Sequence, residues 1–472
     1  MSDSASKLPP REQRRPPSLH APTLPAAAPA LENAVLPAKA TALALPASAE
    51  PATPPLAKVL PPVVPATPTG AAKPTLPAAA APLAATAVAN NPAVPGKAPP
   101  APFESGQLVI YWKDAGDAAL GVVVMAREFK LNPASENRLP NLGGVIATFK
   151  LTSQREAERV KNILTSRYPT WRIDFHARYL PHQSLRPPPP VPAGVPSLPR
   201  QYWSQKIDTA TPTAETGRGI RIGIVDTAVD VNAALKNNLL SQRSFLGIGE
   251  IAASSAHGSA LATLIAGRDD GNAFSGVSPG AALYVAAIMH IQGAETASNT
   301  ATLVRALDWL LGERVQVVNL SLGGAGDRIM EEVIARLLRS RVIVVAAAGN
   351  GGDDAVPSYP AAYPGVIAVT ASDAEDQVFT RANRGPYITL TAPGVDVWTP
   401  DRGSGRYVSG TSFAAAIVSG AVATMLAKRP ALDAAGSRDL LCRHARDLGS
   451  PGTDPIFGCG LIQLRATLAA IP

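Results

Sequence analysis

From Gln201 onward, short continuous apolar runs recur: IRIGIVD (220–226), ALYVAAIM (282–289), VQVVNLSL (315–322), RVIVVAAAGN (341–350) and VIAVTASD (366–373), with helical segments between them. A strand that is apolar on both faces does not sit on a half-solvated sheet. It belongs to a parallel sheet whose faces are both covered by helices. The pattern predicts an α/β domain over 201–472. In such sheets ligands bind in the crevice at the carboxyl ends of the strands, so the residues just after each run carry the interest.

The first 200 residues read differently. Residues 1–105 are mostly Ala, Pro, Thr and Leu, without hydrophobic periodicity, and hold many of the 47 prolines. Such a segment buries too little apolar surface to offset its ordering entropy, and a disordered Pro/Ala-rich tether is expected there. Order is expected from 106. QLVIYWK, GGVIATFKL and WRIDFHARYL read as strands, and DAALGVVVMAREF and TSQREAERVKNILTSRY as helices. Ser153 with Glu156 fits a capping box, and Ala157, Val160, Ile163 and Leu164 share one face. This predicts a small α+β, ferredoxin-like unit over 106–181, with a short extra strand around Arg138–Leu142. SLRPPPPVPAGVPSLPR then forms a stiff proline-rich linker within 182–200.

Composition bounds the function class only loosely. A net charge of +7 over 472 residues is mild, and the basic run KLPPREQRR reads as a solvated tail, so no nucleic-acid partner is expected. No apolar run is long enough and suitably flanked to predict a transmembrane segment, and MSDSASKLPPREQRRPPSLH lacks the apolar core of a secretory signal. The two cysteines, Cys442 and Cys459, are too few for a disulfide scaffold or a zinc site. They either pair with each other or stay as two buried thiols. SLGGAG lacks the Lys-Ser/Thr of a phosphate-binding loop and the full dinucleotide fingerprint.

Four residues stand at element ends. Asp226 closes IRIGIVD; alone it reads as a turn or helix cap. His257 opens HGSALATLIAG, whose Ala260, Leu261, Leu264 and Ile265 form an apolar stripe; alone it reads as a core histidine, although Gly258 leaves room for another backbone to approach. Asn350 ends RVIVVAAAGN, where asparagine often takes a left-handed turn. Ser412 precedes FAAAIVSGAVATMLA, where it either caps the helix or sits beside N–H groups that favour negative charge. Together they form a chemical set. A serine hydroxyl attacks only when an imidazole takes its proton, the imidazole needs a carboxylate to orient it, and the resulting oxyanion needs donors.

Through VDTAVD, HGSALATLIAG, NLSLGG, AAAGN and SGTSFAAAIVSGAVA, the region 201–472 resembles the subtilisin-like serine peptidases, or subtilases. SGVSPGAALYVAAIM, SYPAAYPGVIAV, LTAPGVDV and DLGSPGTDPIFGCGL match further spacers of that family. The resemblance implies a serine endopeptidase acting on protein or peptide substrates, with Ser412 as nucleophile, His257 as general base and acid, Asp226 as its orienting partner and Asn350 as oxyanion donor. It implies that Ser321, Leu322 and Gly323 pair with an extended substrate, and that Ala347, Ala348 and Gly349 wall the pocket for the residue before the cleaved bond. Residues around Ile288–Thr300 would line the cleft, with His290, Gln292 and Glu295 as a polar rim.

The unit at 106–181 is similar in pattern and placement to subtilase propeptides, which makes it an expected intramolecular, autoinhibitory partner. The resemblance also suggests a secreted or periplasmic location. Departures from the family pattern include Ala228 after the Asp-Thr pair, Phe413 beside the serine and Ala416 in place of a proline. The competing reading is a catalytically silent module that captures peptides in the same cleft. No cofactor is implied. Structural calcium is common in the family, but RDDGNAFSG at 268–276 reads as a solvated turn, and no metal ligand is assigned.

Overall fold

The computed structural model describes residues 102–182, 199–235, 240–269, 271, 273–400 and 405–472. All lie in one compact unit, Ala93–Pro472. The expected tether over 1–105 and the proline-rich run at 183–198 lie almost wholly outside the described residues.

The first ordered elements are β1 (Phe103–Trp112), α1 (Ala115–Glu128), β2 (Ser135–Arg138), β3 (Val145–Lys150), α2 (Gln154–Arg167) and β4 (Arg172–Pro181). The strands are antiparallel in the order β2-β3-β1-β4, the ferredoxin-like arrangement. Trp112, Met125, Phe149, Leu164 and Trp171 fill the space between this sheet and the two helices. Gly121 of α1 is required there, because a Cβ at that position would lie 2.3 Å from the Trp112 ring. Ser153 caps α2 by accepting from Glu156 N at 3.2 Å, while the Glu156 carboxylate turns to Thr152 N at 3.0 Å, one residue earlier than a standard box.

The extra strand falls at Ser135–Arg138 rather than Arg138–Leu142. Pro140 has no N–H to give a ladder. The N–H groups of Asn141 and Leu142 go instead to the Asp308 carboxylate, at 2.9 and 2.7 Å.

The following region contains β5 (Arg221–Asp226), β6 (Leu240–Ser244), α3 (Ala256–Ala266), β7 (Ala282–Ala287), β8 (His290–Gln292), β9 (Glu295–Asn299), α4 (Thr300–Gly312), β10 (Val317–Leu320), β11 (Leu322–Gly324), α5 (Arg328–Arg339), β12 (Ile343–Ala347), β13 (Ile367–Ser372), β14 (Leu390–Pro393) and α6 (Thr411–Lys428). Seven of these strands form a wholly parallel sheet in the order β14-β13-β12-β10-β5-β7-β6. Each run feeds two cores by period-two alternation. Ile343, Val345 and Ala347 of β12 face the side of α3 and α6, whereas Val344 and Ala346 face the side of α4 and α5. The apolar-through strands therefore bury both faces, as their composition requires.

Among the described residues, α6 alone is long and apolar enough to span a bilayer by composition, but 83% of it is buried inside the protein. It is the central core helix. Cys442 and Cys459 form a disulfide with Cα atoms 5.3 Å apart, which resolves their two possible states.

The antiparallel sheet does not end at β4. Its last residues lie between two strands of the following region: Arg178 and Tyr179 pair with Asn299 and Ser298 of β9, while Tyr179, Leu180 and Pro181 pair with Gly324, Gly323 and Leu322 of β11. This places the end of β4 over the carboxyl ends of β5, β10 and β12.

Candidate active site

Asp226 is the last residue of β5 and is fully buried. Its Oδ1 accepts from Thr227 N at 2.7 Å and lies 2.8 Å from His257 Nδ1. His257 stands in the first turn of α3, 2% exposed. The turn after β5 is clamped to that helix, since Thr227 Oγ1 accepts from Gly258 N at 2.9 Å and Ser259 Oγ accepts from Asp230 N at 2.9 Å. A Cβ on Gly258 would meet the Thr227 carbonyl at 2.7 Å, so the close approach anticipated for this glycine is real. Asp226 thus fixes the ring and holds the proton on Nδ1. Nε2 is buried and has no hydrogen-bond partner among the described residues. A ring in this tautomer offers Nε2 as a proton acceptor.

Ser412 is the second residue of α6, completely buried. Its Oγ donates to the backbone carbonyl of His182 at 2.6 Å and approaches the Ser321 carbonyl at 3.2 Å. Asn350 Nδ2 donates to the same His182 oxygen at 2.9 Å. The amide is held in that sense because its Oδ1 accepts from Thr411 N at 3.2 Å and Thr411 Oγ1 at 2.9 Å. Gly410, which precedes α6, has φ 151°, and a Cβ there would sit 3.0 Å from both Asn350 Nδ2 and the His182 oxygen. The Phe413 ring lies 5.5 Å from the His257 ring, edge to face, and covers the imidazole.

The structure therefore brings Ser412 and Asn350 to one carbonyl oxygen, that of His182, with Ser321 and the Asp226–His257 pair beside them. The hydroxyl bonds to His182 and not to His257. The two imidazoles are neighbours: burial first, and then electrostatic coupling to the His257 ring, hold the His182 pKa down to about 4. His182 N donates to Ser321 O at 3.2 Å, which continues the β4–β11 pairing up to the site. Leu322 and Gly323 lie in that ladder. Ala347, Ala348 and Gly349 are buried on the run into Asn350, with Ala348 O receiving the Tyr387 hydroxyl at 2.7 Å.

The residue pattern assigns no role to His182, Ser358, Tyr179 or Asp327, and places Thr300 only at the end of the stretch expected to line the cleft. His182 Nε2 and Ser358 Oγ are 3.0 Å apart, and a Cβ on Gly323 would collide with both groups at 2.0 Å. Tyr179 donates its hydroxyl to Asp327 Oδ2 at 2.9 Å. Of the expected rim, Gln292 and Glu295 engage Arg178 at 2.9 and 3.3 Å, whereas His290 is buried.

Among the described residues no group of three or more His, Cys, Asp or Glu could hold a metal ion. Of the stretch 268–276, Arg268–Asp269 and Phe274–Ser275 form a two-stranded ribbon, and residues 270 and 272 lie outside the described residues. No chemical step is assigned to a metal.

Residues 217–460 match the Subtilase family profile (peptidase S8). The chain is 31% identical over 287 residues to subtilisin DY of Bacillus licheniformis, which covers 58% of this chain and 98% of that protein. It is 29% identical over 258 residues to the minor extracellular protease Epr of Bacillus subtilis, covering 53% of this chain and 39% of that longer relative. Among solved structures, fervidolysin from Fervidobacterium pennivorans, a keratinolytic enzyme related to subtilisin, aligns with a TM-score of 0.64 at 23% identity, covering 80% of this chain and 63% of that one. At that identity the likeness speaks for the fold.

Proposed function

The chain belongs to the subtilase family of serine peptidases, and on that premise we propose that it is an endopeptidase whose own strand β4 occupies the cleft. Ser412 is the nucleophile, His257 the base and acid, Asp226 the orienting carboxylate, and Asn350 the oxyanion donor. For attack, the Ser412 proton turns from the His182 oxygen to His257 Nε2, and Oγ bonds to the carbonyl carbon of His182. Negative charge then grows on the oxygen that Asn350 Nδ2 already contacts. Collapse of the tetrahedral adduct breaks the His182–Gln183 bond, with the proton passing from His257 to the leaving amine. Water, activated by the same imidazole, releases the acyl group.

One observation carries this reading. The His182 carbonyl oxygen receives both the Ser412 hydroxyl, at 2.6 Å, and the Asn350 amide, at 2.9 Å, at the end of a strand laid along β11. That is where a substrate carbonyl must lie. It supports the division into a tether (1–105), a propeptide-like inhibitor (106–181), a linker (182–200) and a peptidase domain (201–472), with His182 moved from the linker to the inhibitor. It also supports substrates bound as an added strand, through backbone hydrogen bonds to Ser321, Leu322 and Gly323, with the Ala347–Gly349 run beside the pocket. The silent-module reading leaves the buried Asp226–His257 bond without a purpose.

The test is labelling with a fluorophosphonate, which forms an adduct only with an activated serine. Adduct on Ser412 after release of the inhibitory segment, lost in Ser412→Ala and His257→Ala, is the expected result. A folded, unblocked protein that takes no label sinks the endopeptidase reading.

A further inference from the structure

If His182 is the residue before the cleaved bond, Tyr179 is the fourth residue upstream of it, and its surroundings are built around a hydroxyl. Tyr179 is fully buried. Its backbone lies between Ser298 of β9 and Gly324 of β11. Its hydroxyl reaches Asp327 Oδ2 at 2.9 Å, and Thr300 Oγ1 donates to the same oxygen at 3.0 Å.

Asp327 has a separate structural duty, because its Oδ1 accepts from Met330 N at 2.7 Å and caps α5. Capping uses that oxygen and leaves Oδ2 for the incoming side chain. The carboxylate is 5% exposed and is braced through its backbone by Tyr363, whose hydroxyl accepts from Asp327 N at 2.9 Å and donates to Asp327 O at 2.8 Å. Burial raises the Asp327 pKa to about 6, so the acceptor is an anion at neutral pH. Gly324 is held to glycine by the incoming strand, since a Cβ there would lie 2.1 Å from the Arg178 carbonyl and 3.1 Å from the Tyr179 ring.

We propose that Asp327, supported by Thr300, selects substrates with tyrosine at the fourth position before the cleaved bond, by accepting the phenol hydroxyl. The proposal rests on the peptidase reading above and names its substrate class. A phenylalanine fills the same space but leaves a buried carboxylate oxygen short of a donor. A hydrogen bond to a charged group is worth enough to give about a 10- to 200-fold preference, and sites built around a substrate hydroxyl discriminate strongly against the analogue that lacks it.

The test uses the full-length protein and two quenched fluorogenic peptides, Ala-Arg-Tyr-Leu-Pro-His-Gln-Ser, which copies residues 177–184, and its Phe counterpart at the third position. The expected kcat/KM ratio, Tyr over Phe, is about 10 to 200. In Asp327→Asn, which keeps the capping oxygen, the ratio is expected to fall at least about fivefold toward unity, whatever happens to the absolute rates. A mere structural role for Asp327 would lower both rates together and leave the ratio standing. Equal rates in the wild type, or a ratio untouched by Asp327→Asn, overturn the proposal. Should neither peptide be cut and the fluorophosphonate leave Ser412 unlabelled, the peptidase reading has failed instead. The same two peptides are then compared as ligands by fluorescence anisotropy, where a tighter Tyr peptide upholds the recognition and equal affinities overturn it.

Discussion

The two halves of the active site are held in different ways. The Asp226–His257 half is internal to the parallel-sheet region: a strand end, a helix start and the Thr227–Gly258 clamp set its 2.8 Å bond without help from β4. The Ser412–Asn350 half is engaged by another part of the chain, since both side chains donate to the His182 carbonyl. Under the proposed roles, the proton-transfer machinery is preformed and the acyl-transfer side is occupied. On the proposed reading, an enzyme built this way is restrained by its own strand and needs no distortion of its catalytic groups to stay silent.

The sharpest break between the halves comes from Ser412→Ala. It removes the nucleophile, leaves Asp226–His257 intact, and is expected to lower kcat by on the order of 10^6 in a peptide-hydrolysis assay. A variant that retained more than a small fraction of the activity would mean that another group attacks. Next in size is Asn350→Ala, which deletes one donor to the developing oxyanion. The expected loss is about 10^2- to 10^3-fold in kcat with little change in KM, measured on the same peptide. A change confined to KM would assign Asn350 to ground-state binding.

The occupied half should also respond to acid. Burial holds His176 of β4 to a pKa of about 4, with Nδ1 on Gln107 at 2.9 Å and Nε2 accepting from Ala301 N at 3.3 Å; His182 is depressed to about 4 as well. Released from the cleft, such imidazoles protonate near 6.5. Docking therefore has its full strength above about 6.5 and loses it as the pH falls toward 4, by up to about 1.4 kcal/mol per unit for each histidine. Inhibition of peptide cleavage should weaken over that window, and His176→Phe should flatten the slope. Inhibition that strengthens in acid contradicts the assignment. The smallest effect belongs to Ser358. Its Oγ lies 3.0 Å from His182 Nε2, so Ser358→Ala should lower the preference for histidine over phenylalanine before the cleaved bond by about two- to tenfold in kcat/KM.

Legibility follows the range of the interactions. Asp226, His257, Asn350 and Ser412 stand where strands end and helices begin, and local pattern suffices to find such places. The apolar runs likewise fix the covered parallel sheet, because a strand buried on both faces has few alternatives. The strand near Arg138 is displaced because its residues answer to Asp308, 166 residues away from Leu142. Tyr179 and Asp327, 148 residues apart, form a hydrogen-bonded pair that no window along the chain contains. His182 looks like the first residue of a linker, and only the alignment of β4 with β11 brings its carbonyl to Ser412.

The most direct measurement is intact mass with N-terminal sequencing of the purified full-length protein and of Ser412→Ala. The account predicts a new N-terminus at Gln183 in the wild type and an uncut chain in the variant. A cut at another bond, or one at Gln183 that persists without Ser412, would contradict it.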